Sequence, residues 1–89
     1  MVTMISRRKL SAGGFDEWKQ RFADAAPLRK AAGCLGVRRF RAIDDSDVVV
    51  VVMQWDTAEH CREFVGQRLG SVADGLDSIF VEEVDVLDN

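Results

Sequence analysis

At 89 residues the chain has the length of one small domain, expected to span residues 1–89 without a boundary or repeat. Its 47% hydrophobic content and single proline exclude a long disordered linker, and no apolar stretch approaches the roughly 20 residues of a membrane span. Fifteen acids against twelve bases leave a net charge of -3, which gives no attraction to nucleic acid or to an anionic membrane.

Val2 to Lys9 alternates loosely between apolar and polar residues and ends on three bases, as a first strand would. The order of this terminus, apolar before basic, is the reverse of a signal peptide, and a cytoplasmic protein is expected. Gly13-Gly14 breaks the strand. Phe15, Trp18, Phe22 and Ala25 or Ala26 follow at helical spacing, and Asp16 and Glu17 suit the positive amino end of that helix. Pro27 predicts a break, with Leu28 to Ala32 as a separate turn.

After Gly33, Leu35 to Ile43 reads as a second strand, with Leu35, Val37, Arg39, Arg41 and Ile43 on one face and Gly36, Arg38, Phe40 and Ala42 on the other. Asp44-Asp45-Ser46-Asp47 is too short for a crossover, so this strand pairs with the next as an antiparallel hairpin. That next strand, Val48 to Trp55, opens with five valines. β-branched side chains disfavour a helix, and a strand without alternating polar positions needs cover on both faces.

Asp56 is the expected N-cap of a second helix, with Glu59 completing a capping box. Ala58, Cys61, Phe64 and Val65 form its apolar stripe, and Gly66 and Gly70 are expected to interrupt it. Leu69, Val72, Ala73 and Leu76 resume helical spacing as a short further helix. Ile79 to Leu87 closes the chain as a fourth strand. The order is β-α-β-β-α-β, which right-handed crossovers fold into an α+β, ferredoxin-like antiparallel sheet with its helices on one face. The first and fourth strands are then neighbours, placing Arg7, Arg8 and Lys9 beside Glu82, Glu83 and Asp85.

Phe15-Asp16-Glu17-Trp18-Lys19, Ala31-Ala32-Gly33, Val37-Arg38-Arg39-Phe40-Arg41 and Val51-Val52-Met53-Gln54-Trp55-Asp56, with Phe64 beyond, carry a wider likeness. The chain resembles the dimeric α/β-barrel superfamily, and within it the antibiotic biosynthesis monooxygenase-like group and its small relatives. The resemblance implies a homodimer in which two sheets pack face to face, and a pocket between each sheet and its own helices. One alternate set of valines would then meet the helices and the other the partner's sheet.

It also implies small-molecule chemistry without a cofactor. The expected reaction is oxygenation, or a related proton-transfer or cyclisation step, on an aromatic polyketide-like or phenolic substrate. A non-catalytic ligand-binding or accessory homodimer is the alternative. Catalytic residues of the group map onto departures: Ser6 stands where those enzymes resemble one another in having asparagine, Phe64 where they have tryptophan, and Ala73 near the haem-binding histidine. These departures argue against haem degradation.

His60, the single histidine, is the candidate general base, against a bland surface role. Arg39 is the candidate to stabilise an enolate, against an intersubunit ion pair. Trp18, Phe22, Trp55 and Phe64 are candidates to stack on a flat ligand, against the more common role of packing in a core or interface, and Ser6 and Gln54 are candidate polar contacts. Cys61 fits the apolar stripe rather than a nucleophile, because its neighbour His60 does not share its helix face. Cys34 and Cys61 make no disulfide framework and are expected reduced, and with one histidine no metal site is expected. RNA-recognition modules share the strand order, but they place aromatics where this chain has valines.

Overall fold

The valine run lies inside the sheet, bonded to a strand on either side, as its unbroken apolar character requires. A computed structural model describes residues 1–69 and 76–88. The elements are β1 (Val2–Lys9), α1 (Phe15–Asp24), α2 (Ala26–Ala32), β2 (Cys34–Arg41), β3 (Val48–Trp55), α3 (Ala58–Leu69) and β4 (Leu76–Val81). All strand pairs are antiparallel, in the order β2-β3-β1-β4, the expected ferredoxin-like sheet. Among the described residues no helix is long and apolar enough to cross a membrane.

Side chains of β3 alternate between two environments. Val49, Val51, Met53 and Trp55 are all under 7% exposed, and with Met4 and Cys61 they make the core beneath the helices. Val50 and Val52 point the other way and stay half-buried. In register beside them lie Ile5 of β1, Phe40 of β2 and Ile79 of β4, the last two 44% and 60% exposed. This apolar face has no described helix against it.

Local chemistry sets the boundaries. Pro27 sits in the first turn of α2, where its missing N–H costs nothing, and the helical segment breaks as expected between Asp24 and Ala26. Gly33 ends α2 in the left-handed region at φ 117°. The acidic loop organises the hairpin: Asp45 Oδ1 accepts from the Asp47 N–H at 3.0 Å, and Lys9 Nζ stands 3.1 Å from Asp45. The Asp47 amide and then Lys9 hold the Asp45 carboxyl below the usual carboxylate range.

Several expected details differ. The N-cap of α3 is Thr57, whose Oγ1 accepts from the His60 N–H at 3.1 Å; Asp56 lies one residue earlier and makes no capping box with Glu59. Gly66 does not interrupt α3, which continues to Leu69. The short helix expected over residues 69–76 falls mainly outside the described residues, and Leu76 already belongs to β4. In β2 the register steps between Cys34 (opposite Trp55) and Gly36 (opposite Gln54), so Leu35 becomes an extra residue, 61% exposed, instead of sharing a face with Val37. Ile43 lies beyond the strand and is fully exposed.

The fourth strand is Leu76–Val81, not Ile79 to Leu87. The ladder between β1 and β4 ends at the Thr3–Val81 pair, and residues 82–88 are not in a strand. The basic end of β1 therefore does not lie beside Glu82, Glu83 and Asp85. Arg7 faces Asp77 instead, and Lys9 pairs with Asp45.

Candidate functional site

The apolar stripe of α1 reaches the core only in part: Trp18 and Phe22 pack against it half-buried. Phe15, Trp18 and Phe22 follow one another at ring separations of 5.8 and 5.5 Å, yet no residue of α1 is buried. Between this helix and the sheet lies a cavity of about 340 Å³. Its floor is Met4, Ser6 and Arg8 of β1 with Val49, Val51 and Met53 of β3; Trp18 and Phe22 of α1, Arg29 of α2, and Phe64 and Val65 of α3 form its walls. Alternation along the strands supplies the floor, and the three-to-four spacing of α1 supplies the aromatic wall. Exposed Glu17 and Arg21, one helical turn apart, pair with each other at the rim.

Arginines brace that standing helix. The Arg41 guanidinium sits 3.9 Å from the Phe15 ring centroid, and its Nε donates to the Ser46 carbonyl at 2.9 Å. Arg39 lies 5.6 Å from the Trp18 ring and 5.3 Å from that of Phe22, and donates to the Lys19 carbonyl at 3.0 Å. Arg29 covers the Phe22 ring at 4.0 Å and donates to the Phe22 carbonyl. Cation–π contacts of this kind contribute roughly 0.5–2 kcal/mol each and add to the partial burial of the α1 aromatics.

The sequence candidates divide into two groups. Ser6, Trp18, Phe22 and Phe64 come together in the cavity lining. Ser6 is only 5% exposed. Arg39, Gln54, Trp55 and His60 are not part of the lining. Arg39 lies against the Trp18 and Phe22 rings and the Lys19 carbonyl of α1, and Gln54 is exposed. Trp55 is wholly buried, with its ring 5.5 Å from that of Phe64.

His60 borders a separate hollow of about 330 Å³ with Gly33, Asp56, Glu63 and Phe64. Its Nδ1 is 2.9 Å from both carboxylate oxygens of Asp56. That hydrogen bond holds the imidazole pKa above its ordinary value and the Asp56 carboxyl below its own. Burial pushes the Cys61 thiol up to about 11, and its Sγ donates to the Met4 sulfur at 3.3 Å, a packing cysteine. Both cysteines are free, and among the described residues no cluster of three metal-ligating side chains occurs.

The Asp56–His60 pair makes a pH prediction with a definite sign. The raised histidine pKa adds stability that is complete below the ordinary 6.5 and is lost as pH rises through the folded-state value. The lowered aspartate pKa adds stability that is complete above the ordinary 3.8 and is lost as pH falls through its folded-state value. Between those ordinary values the pair acts at full strength. An NMR titration of the His60 ring should give a lower pKa in Asp56→Asn than in the wild type; equal values would refute the pairing.

Arg8 and Arg29 belong to the lining but were not among the sequence candidates. The signal for Arg29 was present: it follows Phe22 by seven residues, continuing the stripe of Phe15, Trp18 and Phe22 past the proline.

No curated protein matches the sequence. Solved structures of the same fold include a protein from Bordetella bronchiseptica, 20% identical with a TM-score of 0.75, covering 93% of this chain and 96% of its own. Another is a variant of SnoaB, a cofactor-independent oxygenase from Streptomyces nogalater, 18% identical with a TM-score of 0.72, covering 99% and 97%. A variant of MhuD with two manganese protoporphyrins bound is 20% identical with a TM-score of 0.68, covering 100% of both chains. The family described as antibiotic biosynthesis monooxygenase matches residues 1–68, about three quarters of the sequence. The chain belongs to the antibiotic biosynthesis monooxygenase family.

Proposed function

We propose that this protein is a homodimeric small-molecule enzyme that takes a flat aromatic compound, of polyketide-like or phenolic type, into the cavity between sheet and helices. The observation that carries the reading is the cavity itself: α1 leaves Trp18 and Phe22 only half-buried against the core, and with Phe64 they line the space beside it. A stripe of aromatics that served packing alone would be buried. SnoaB, of the same fold, is a cofactor-independent oxygenase, which supports the same chemistry here.

The reaction is oxygenation of an enolisable ring carbon, or a related proton transfer or cyclisation. In the oxygenation a ring CH₂ conjugated with a ring ketone through the aromatic system loses its proton, the carbanion reduces O₂, and the products are C=O and water. Ser6 is the proposed donor to the enolate oxygen, in a floor whose only other polar residue is Arg8. Proton loss relies on the acidity of the substrate, because His60 stands outside the lining. The protoporphyrin of MhuD is not carried over for the same reason: the lining includes no histidine to hold an iron. Absence of a neutral-pH base also favours the second reading, a non-catalytic binder of the same ligands.

A thermal-shift panel of anthrone, naphthalenediols and quinones tests the binding, and an oxygen electrode tests the turnover. Stabilisation by the panel is expected, with oxygen uptake on anthrone that falls roughly a hundredfold in Ser6→Ala if the hydroxyl is the enolate donor. Binding with no uptake would leave the accessory reading, and no binding at all would end both.

A second copy of the chain is the proposed cover for the face bearing Ile5, Val50, Val52, Phe40 and Ile79. A contiguous apolar patch of this kind is seldom left to solvent in a monomer.

A further inference from the structure

Strand β2 lies at one edge of the sheet and carries Arg38, Arg39 and Arg41 with no acid among them. Among the described residues none of the three belongs to an ion pair: Arg39 and Arg41 donate to carbonyls and lie against α1 rings, and Arg38 lies 5.3 Å from the Phe40 ring centroid. β2 bonds to β3 on one side only, so alternate N–H and C=O groups of its outer edge have no strand beside them. Residues 82–88 have the opposite composition. Glu82, Glu83, Asp85 and Asp88 stand there without a base, and Val84 and Val86, 91% and 79% exposed, alternate with the acids. A strand made of them would have its valines on one face and Glu83 and Asp85 on the other.

The acids and the arginines do not meet within one chain. β4 and β2 are opposite edges of the sheet, three strand spacings or about 14 Å apart. A residue spans at most about 3.6 Å, so crossing the end of the sheet uses up residues 82–85 before β2 is reached. A second copy removes that limit. Sheets packed face to face have corners at which an edge strand of one bends over into the other. The partner offers two edges: its β4 holds Asp77 and leads into the same acids, whereas its β2 holds the three arginines. Charge therefore selects β2.

We propose that residues 83–87 of one copy add as a strand to the outer edge of β2 in a second copy, their acids beside Arg38, Arg39 and Arg41. Main-chain hydrogen bonds supply the affinity of such an addition, and the alternating side chains supply its register. The proposal rests on the homodimer reading and adds a second contact, reciprocal between the copies, at the edges of the two sheets.

Sedimentation equilibrium and amide hydrogen exchange on the full chain test this. In the wild-type dimer alternate amides between Glu83 and Leu87 should exchange slowly, together with the outer-edge amides of β2. Ending the chain at Val81 should leave the circular dichroism of the fold unchanged, free the β2 amides and raise the dimer dissociation constant at least tenfold. Proline reads the strand itself, because an edge strand loses a ladder bond only where the N–H faces its neighbour. One of V84P and D85P should therefore weaken the dimer and the other spare it; equal effects of the two would overturn strand addition. E83K/D85K should weaken the dimer as well, and an unchanged constant would overturn the choice of β2. Slow tail amides that persist in a monomeric Val50→Asp variant would show pairing within one chain and overturn the proposal. A dimer unmoved by the truncation would overturn this inference alone, whereas a wild type of single chain mass would overturn the homodimer reading beneath it.

Discussion

Val51→Asp is expected to abolish the fold, whereas Val50→Asp, one residue earlier on the same strand, is expected to leave a folded monomer. Val51 is 5% exposed in the cluster of Met4, Met53, Trp55 and Cys61. The cation beside it across the strands is Arg39, already engaged with the Lys19 carbonyl and the α1 rings, and a poorly compensated buried charge costs roughly 3–5 kcal/mol. Loss of the valine's own burial adds roughly 1.5–3 kcal/mol. A small domain has only about 5–15 kcal/mol in all, and this chain is at the short end of the range. Val50 instead points to the open face, where Asp meets water in a monomer and a second copy's apolar sheet in the proposed dimer. Far-UV circular dichroism should show the Val51 variant unfolded. Sedimentation should give twice the chain mass for wild type and once for the Val50 variant. A Val50→Asp protein that stays dimeric would remove that face from the interface, and a folded Val51→Asp would contradict the core.

Gly33→Ala should destabilise the protein by about 2 kcal/mol and shift the titration of His60 at the same time. At φ 117° an alanine pays roughly 1–2 kcal/mol of backbone strain. Its Cβ would also stand 2.4 Å from Asp56 Oδ1 and 2.8 Å from Cγ, too close for either to remain. The carboxylate can rotate away, but only by giving up His60 and the Thr57 amide, to which it is bonded at 2.7 Å. The His60 pKa should therefore fall towards its ordinary 6.5. Gly13→Ala is the control: its φ is also positive, at 73°, but nothing lies within 4 Å of the new Cβ, so only the strain is felt. Denaturant melts and a histidine NMR titration read the two effects separately. If the Gly33 variant were no less stable than the Gly13 variant, with His60 unmoved, Asp56 would not be confined by the end of α2.

Local periodicity was enough for the element order and the sheet. A β-branched run without polar positions, a three-to-four aromatic spacing, a proline break and a four-residue acidic loop each act over a few residues, and each was legible as such in the sequence. The strand ends were less so, because a strand stops where its partner stops. Val84 and Val86 alternate with acids as a strand would, yet the ladder between β1 and β4 ends before them, at the Thr3–Val81 pair.

The site was half legible for a related reason. Residue type named Trp18 and Trp55 alike, but the tertiary structure places one in the wall of a cavity and buries the other against Phe64. That difference depends on how far a helix stands from the sheet, which no local pattern records. Arg29 lay on the aromatic stripe in sequence, and only the packing of α2 against α1 turned it into a buried cation facing the cavity. His60 shares α3 with Phe64 but borders the other hollow, because the partner that holds it, Asp56, sits where the end of α2 meets the end of β3. Sequence alone determined the architecture because strand and helix propensities are local. The tertiary structure decided which side chains share the cavity, because that depends on distances between elements far apart in the chain.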